Sequence, residues 1–90
     1  MIKSWKHKGL KRFFETGTKS GIVVAHEKKL KIILQRLSGA IKPEDMRTPG
    51  MQFHKLTGSL AGFYSVSVSG NWRIVFKFHG QNAEEVNYID

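Results

Sequence analysis

The sequence predicts an α+β fold, a possible edge strand and two N-terminal helices packed on one face of a meander of about four strands, on three observations. Between Val24 and Leu37, the residues Leu30, Ile33, Leu34 and Leu37 fall at i, i+3, i+4 and i+7, the spacing of one helix face. Between Trp72 and His79 the period changes to two, with Trp72, Ile74, Phe76 and Phe78 alternating against Arg73, Val75, Lys77 and His79. Directly before that run stands Gly70-Asn71, a tight hairpin signal.

In chain order, Met1 to Trp5 suits a short first strand. Lys6 to Thr16 reads as a helix with Leu10, Phe13 and Phe14 on one face, with Lys8, Lys11 and Arg12 outward and Gly17 as the stop. The second helix, Val24 to Leu37, carries Lys28, Lys29, Lys31 and Arg36 on its other faces and should end at Ser38-Gly39. Residues 42 to 50 hold both prolines, and each proline removes a backbone donor and restricts its predecessor, so this stretch reads as a loop. The meander follows: Gln52 to Leu56, Gly62 to Ser69 with Tyr64, Val66 and Val68 on one face, Trp72 to His79, and Glu84 to Ile89 after the turn at Gly80-Gln81-Asn82.

Ninety residues suffice for one core, so residues 1–90 are expected to form a single domain. With 40% apolar residues and ten aromatics (two Trp, two Tyr, six Phe), that core needs no covalent staple. Cysteine is absent, which excludes disulfides and thiolate zinc sites and points to a reducing cytoplasm. The N-terminus lacks a signal peptide's apolar centre, and no run approaches the roughly 20 apolar residues of a membrane span.

Net charge is +8, and its distribution is informative. Residues 1 to 36 carry ten Lys or Arg against Glu15 and Glu27, whereas residues 37 to 90 balance. A basic surface of that density attracts phosphates by Coulomb attraction and counterion release. Direct DNA reading is disfavoured, because the two helices are separated by about seven residues, more than a helix-turn-helix turn, and the later half is strand.

Several chemistries are excluded by pattern. His7, His26, His54 and His79 are scattered and form no metal-ligand motif, so no metal or other cofactor is expected. No Gly-Lys-Ser/Thr loop opens a helix, and no serine sits in a nucleophile-elbow pattern; Ser65, Ser67 and Ser69 simply alternate along a strand. What remains is an imidazole and cations on strands: His54 with Lys55, and Arg73 with Lys77. Metal-free RNA cleavage needs a base for the 2′-hydroxyl proton, cations for the phosphate as charge builds, and a donor for the leaving 5′-oxygen. Trp72 shares its face with Ile74, Phe76 and Phe78 and reads as core rather than as a base-stacking platform. From the residues alone, the chain is expected to be a basic α+β nucleic-acid-binding module, with RNA cleavage left open as an activity its side chains could support.

Two stretches carry a resemblance. Ile2-Lys3-Ser4-Trp5-Lys6-His7-Lys8-Gly9-Leu10-Lys11 through Phe14-Glu15, and Phe53-His54-Lys55-Leu56-Thr57-Gly58, Gly62-Phe63-Tyr64 and Val68-Ser69-Gly70-Asn71-Trp72-Arg73-Ile74-Val75-Phe76-Lys77-Phe78, resemble the HigB toxins, a branch of the RelE superfamily of toxin–antitoxin systems. The closing Asn87-Tyr88-Ile89-Asp90 is similar to that family's last strand.

The resemblance implies a RelE-like fold, two N-terminal helices packed on a curved, mainly antiparallel sheet of about four or five strands, and a toxin that cleaves messenger RNA in the ribosomal A site. It also implies partners: ribosome and mRNA, a HigA-type antitoxin with a helix-turn-helix domain, and operator DNA through that antitoxin, with no membrane involved. By matching position it implies that His54 transfers the proton, Arg73 stabilises transition-state charge, and Asp90 orients a neighbour. Lys55 is a lesser candidate for phosphate contact, and Lys77, Lys8, Lys11 and Arg12 are further candidates for binding RNA. Two departures stand out. Family members often read proline-leucine-lysine after the histidine where this chain has Lys55-Leu56-Thr57, and relatives carry a tyrosine and a histidine beyond the aspartate at position 90. Reduced cleavage by the 90-residue chain is therefore expected. A ParE-like toxin, acting by occupying its target without cutting, is the competing reading; His54 with Arg73 weighs against it.

Overall fold

The computed structural model describes residues 1–90. Helix α1 spans Lys8–Thr16, helix α2 Glu27–Gly39, and four strands follow: β1 His54–Lys55, β2 Tyr64–Ser69, β3 Trp72–His79 and β4 Asn82–Ile89. The sheet order is β1-β2-β3-β4, antiparallel throughout. Both helices contribute to one core of 16 buried residues, so the expected α+β arrangement, two helices on an antiparallel sheet, is what forms.

The N-terminal segment is the expected early strand only in part. It runs parallel to β4 as two isolated bridges, Ile2 with Ala83 and Trp5 with Val86. Its backbone alternates bonds with that strand, Ala83 N–H to Met1 at 2.9 Å and Lys3 N–H to Ala83 at 2.8 Å.

Helix α1 starts two residues later than its apolar pattern suggests, because His7 is its N-cap. The His7 Nδ1 accepts the Leu10 N–H at 2.9 Å, satisfying one of the donors that a helix start leaves unpaired. At the other end Gly17 adopts φ 81° and its N–H bonds the Phe13 carbonyl, a left-handed cap that suits glycine. Leu10 and Phe13 are buried as expected, but Phe14 is 37% exposed and lies against Trp5.

The cap makes a pH prediction. Burial holds the His7 imidazole below its ordinary value of 6.5, because the neutral ring is the acceptor and the charged ring would be desolvated. A depressed folded value means that the unfolded chain binds the proton first. The stability contributed by the neutral cap is therefore complete above pH 6.5 and lost as pH falls through the folded value. Denaturant melts of the parent and of His7→Asn, which keeps an acceptor without titrating, should diverge between about pH 7 and 5, with the parent losing more. Parallel curves would remove His7 as the cause.

Helix α2 begins as a 3-10 turn over Val24–His26, so the regular helix starts at Glu27 rather than Val24. Its stripe Leu30, Ile33, Leu34 and Leu37 is fully buried, and it ends at Gly39. The proline segment is more ordered than a plain loop. Pro43–Met46 forms a 3-10 turn in which Asp45 accepts the Ile41 N–H at 2.9 Å, and Met46 is fully buried.

Strand β1 is only two residues long, although Leu56 N–H to Phe63 at 2.9 Å and Ser67 N–H to Met51 at 2.7 Å hold its flanks beside the β2 segment. In β2 and β3 the valines and isoleucine of one parity, Val66, Val68 and Ile74, join Phe76 in the core. Alternation does not hold throughout: Trp72 and Phe78 are only half-buried, while Val75, on the other face, is buried. In β4 one extra residue bulges near Glu85, which adopts φ 51° and donates its N–H to Ser4 Oγ at 2.8 Å.

Candidate active site

Register places the candidate residues. His54 of β1 pairs with Ser65 of β2, and Ser67 of β2 pairs with Arg73 of β3. Residues paired across a sheet share a face, so His54, Ser65, Ser67 and Arg73 point away from the helices. His54, Ser65 and Arg73 border an open cleft of about 410 Å³, lined also by Lys55, Leu56 and Thr57.

No carboxylate lines this cleft, and none of the three ion pairs of the fold involves Arg73 or Lys55. The His54 ring makes no hydrogen bond within the chain. Imidazole and guanidinium are thus uncommitted on one concave surface. That combination suits a phosphodiester: the imidazole exchanges a proton, and the guanidinium offers several N–H donors to phosphate oxygens.

The other candidates fall elsewhere. Asp90 is exposed, one residue beyond Ile89, which pairs with Arg73; the carboxylate lies outside the cleft lining and forms no ion pair. Lys77 shares the face of Arg73, but its amine is held by Glu85 at 2.7 Å, with Lys6 on the same carboxylate at 3.6 Å. The hydrogen bond and charge of Glu85 raise Lys77 above the ordinary lysine value and lower Glu85 in turn. Lys8, Lys11 and Arg12 are exposed on α1. Lys8 and Lys11 border a second concavity with Lys3 and Trp5, beside the segment flanking β4, at the sheet edge farthest from β1.

Sequence reasoning missed the support of β4. The Tyr88 ring lies 4.6 Å from that of Trp72, and its hydroxyl is 2.6 Å from Nδ1 of buried His26 while accepting the Val23 N–H at 3.3 Å. Burial raises the Tyr88 phenol above its ordinary value. Trp72, beside Arg73, is therefore a packing residue, as its apolar face suggests. The missing signal was long-range: His26 and Tyr88 are 62 residues apart. Nowhere does the fold gather three or more His, Asp or Glu with the placement of metal ligands.

Two helices on an antiparallel sheet, with a His and an Arg free of partners on its open face, are consistent with a RelE-like fold. Residues 3–90 match the family described as "RelE-like toxin of type II toxin-antitoxin system HigB", and the chain belongs to that HigB-like toxin family. A curated relative, "Endoribonuclease HigB" of Proteus vulgaris, is 38% identical over 90 residues, covering 100% of this chain and 98% of the relative.

Proposed function

We propose that this toxin is an endoribonuclease that cuts messenger RNA in the ribosomal A site by metal-independent attack of a 2′-hydroxyl, with His54 and Arg73 as the reacting pair. Endoribonuclease activity is named for the Proteus vulgaris relative and comes to this chain with shared family and full-length similarity. The observation that carries the site assignment is the convergence of uncommitted His54 and Arg73 on a cleft without carboxylates.

In this reading His54 takes the proton of the 2′-hydroxyl as its oxygen bonds the adjacent phosphorus. Arg73 stabilises the charge that builds on the phosphate oxygens, and Lys55 adds a contact at the rim. The bond from phosphorus to the 5′-oxygen breaks, this oxygen takes a proton from water, the hydroxide so formed takes the proton held by His54, and the products are a 2′,3′-cyclic phosphate and a 5′-hydroxyl. Asp90, beyond the strand position paired with Arg73, orients a neighbouring group. Lys8, Lys11 and Arg12 hold RNA away from the cut by long-range attraction.

Membership of a type II toxin–antitoxin family implies an antitoxin partner. We assign that role to a HigA-type protein that neutralises the toxin and carries the pair to its operator, all within the cytoplasm. No helix is long and apolar enough to cross a membrane. Primer extension on an mRNA, with and without ribosomes, tests the reading. Discrete cuts that appear only with ribosomes are expected. Equal cutting of naked RNA would overturn the ribosome requirement, and no cuts in either case would favour a toxin that acts by occupying its target.

A further inference from the structure

We propose that Ser65 is a positioning residue for His54: its hydroxyl accepts one imidazole N–H and leaves the other ring nitrogen free for the 2′-hydroxyl proton. The inference rests on reading His54 as the proton acceptor.

Ser65 is 1% exposed, and its Oγ is the one buried side-chain nitrogen or oxygen in the protein without a hydrogen-bond partner. The other buried polar residue, His26, is bonded to Tyr88. Buried hydroxyls are costly to leave unpaired, and an orphan in a native fold calls for a reason. Ser65 is an orphan in the lining of the candidate cleft.

Of its two directly opposed register partners, one has a polar side chain. Across β3 its register partner is Val75, which has no polar side-chain atom. Arg73 on β3 is paired with Ser67, one step along, and Lys55 on β1 is paired with Tyr64. Asp90 lies beyond the end of β4, outside the lining. Across β1 the register partner is His54. Directly opposed Cβ atoms in such a pair stand about 4.5–5.5 Å apart, so rotation of the ring brings a nitrogen within reach of Oγ. The ring is exposed and holds no other hydrogen bond, so no competing bond has to break for that rotation. Catalytic hydrogen bonds are often open in the free protein and close with substrate. Because Oγ itself is sealed from solvent, RNA does not touch it, and its effect passes through His54.

The test is a double-mutant cycle on mRNA-programmed ribosomes, using Ser65→Ala, Ser65→Thr, His54→Gln and Ser65→Ala/His54→Gln, with single-turnover rates for the slow variants. Ser65→Ala should lower kcat roughly three- to tenfold at unchanged KM, the scale of one hydrogen bond. Its melting temperature should hold or rise, since it removes an unpaired buried group. Ser65→Thr keeps the hydroxyl and should restore kcat; where its extra methyl lowers the melting temperature, the Ala variant and the cycle decide. In the His54→Gln background, Ser65→Ala should cost nothing further. A parent-like kcat for Ser65→Ala, or an equal loss with and without His54, overturns the positioning role. If His54→Gln itself cuts at the parent's rate, the catalytic reading of His54 fails and the proposal falls with it.

Discussion

His54→Ala and Arg73→Ala are each expected to lower the rate of RNA cleavage by about 10²–10⁴-fold, the range for losing a positioned proton acceptor or a transition-state donor. Neither should unfold the protein. His54 is exposed without a hydrogen bond and Arg73 is unpaired, and substitutions at such positions usually stay within about 0.5 kcal/mol. Growth arrest on induction should be lost in both variants, while circular dichroism melts overlay the parent's. Arrest as strong as the parent's in both would end the assignment. The double variant should be little worse than the poorer single one, because the two groups serve the same step. Lys77→Ala should behave differently: its amine is already paired with Glu85, so cleavage should change far less than in Arg73→Ala.

The largest effect on stability is expected at a place with no chemistry. Gly9, in the first turn of α1, and Gly21, in the connection to α2, press backbone against backbone. A Cβ on Gly21 would stand 2.5 Å from the Gly9 Cα, and one on Gly9 would stand 2.8 Å from the Gly21 Cα and carbonyl oxygen. The obstructing atoms are main chain and have no rotamer to retreat into. Gly21→Ala should therefore destabilise by about 3 kcal/mol, the upper part of the usual overpacking range. For a domain of this size that lowers the melting temperature by about 12–24 °C. Gly39→Ala is the control, because a Cβ there meets nothing within 4 Å and alanine favours the helix; its melting temperature should hold or rise. Equal melting temperatures for Gly21→Ala and the parent would mean that the two segments separate at little cost.

The α2 stripe and the centre of the β3 alternation, Ile74 and Phe76, were legible because each element buries a face whose period follows from its own geometry, whereas burial of Val75 on the other face was not. The short β1 was less so: Gln52 to Leu56 looks like a full strand, but Gln52 takes φ 48° and only His54 and Lys55 pair with β2. The late start of α1 escaped pattern reading because histidine is not among the usual capping residues, and its acceptor role depends on burial of the ring. Phe14 was misplaced since the helix pattern alone does not say how wide a stripe its neighbours cover. Met46, in a stretch that reads as loop, was drawn into the core by a 3-10 turn.

By itself, the sequence determined the α+β class, the order of helices before strands, the basic first third, and His54 and Arg73 as the pair worth testing. Each of these follows from local period, from charge count, or from motifs that resemble a family. Only the tertiary structure decided which of those groups meet. Antiparallel register across β1, β2 and β3 brings His54 and Arg73 onto one cleft and buries the Ser65 hydroxyl opposite His54 without a partner, and the pairing of β3 with β4 ties Lys77 to Glu85. The physical reason is that register is a relation between strands: a shift of one residue turns every side chain to the other face, and no single strand carries that information.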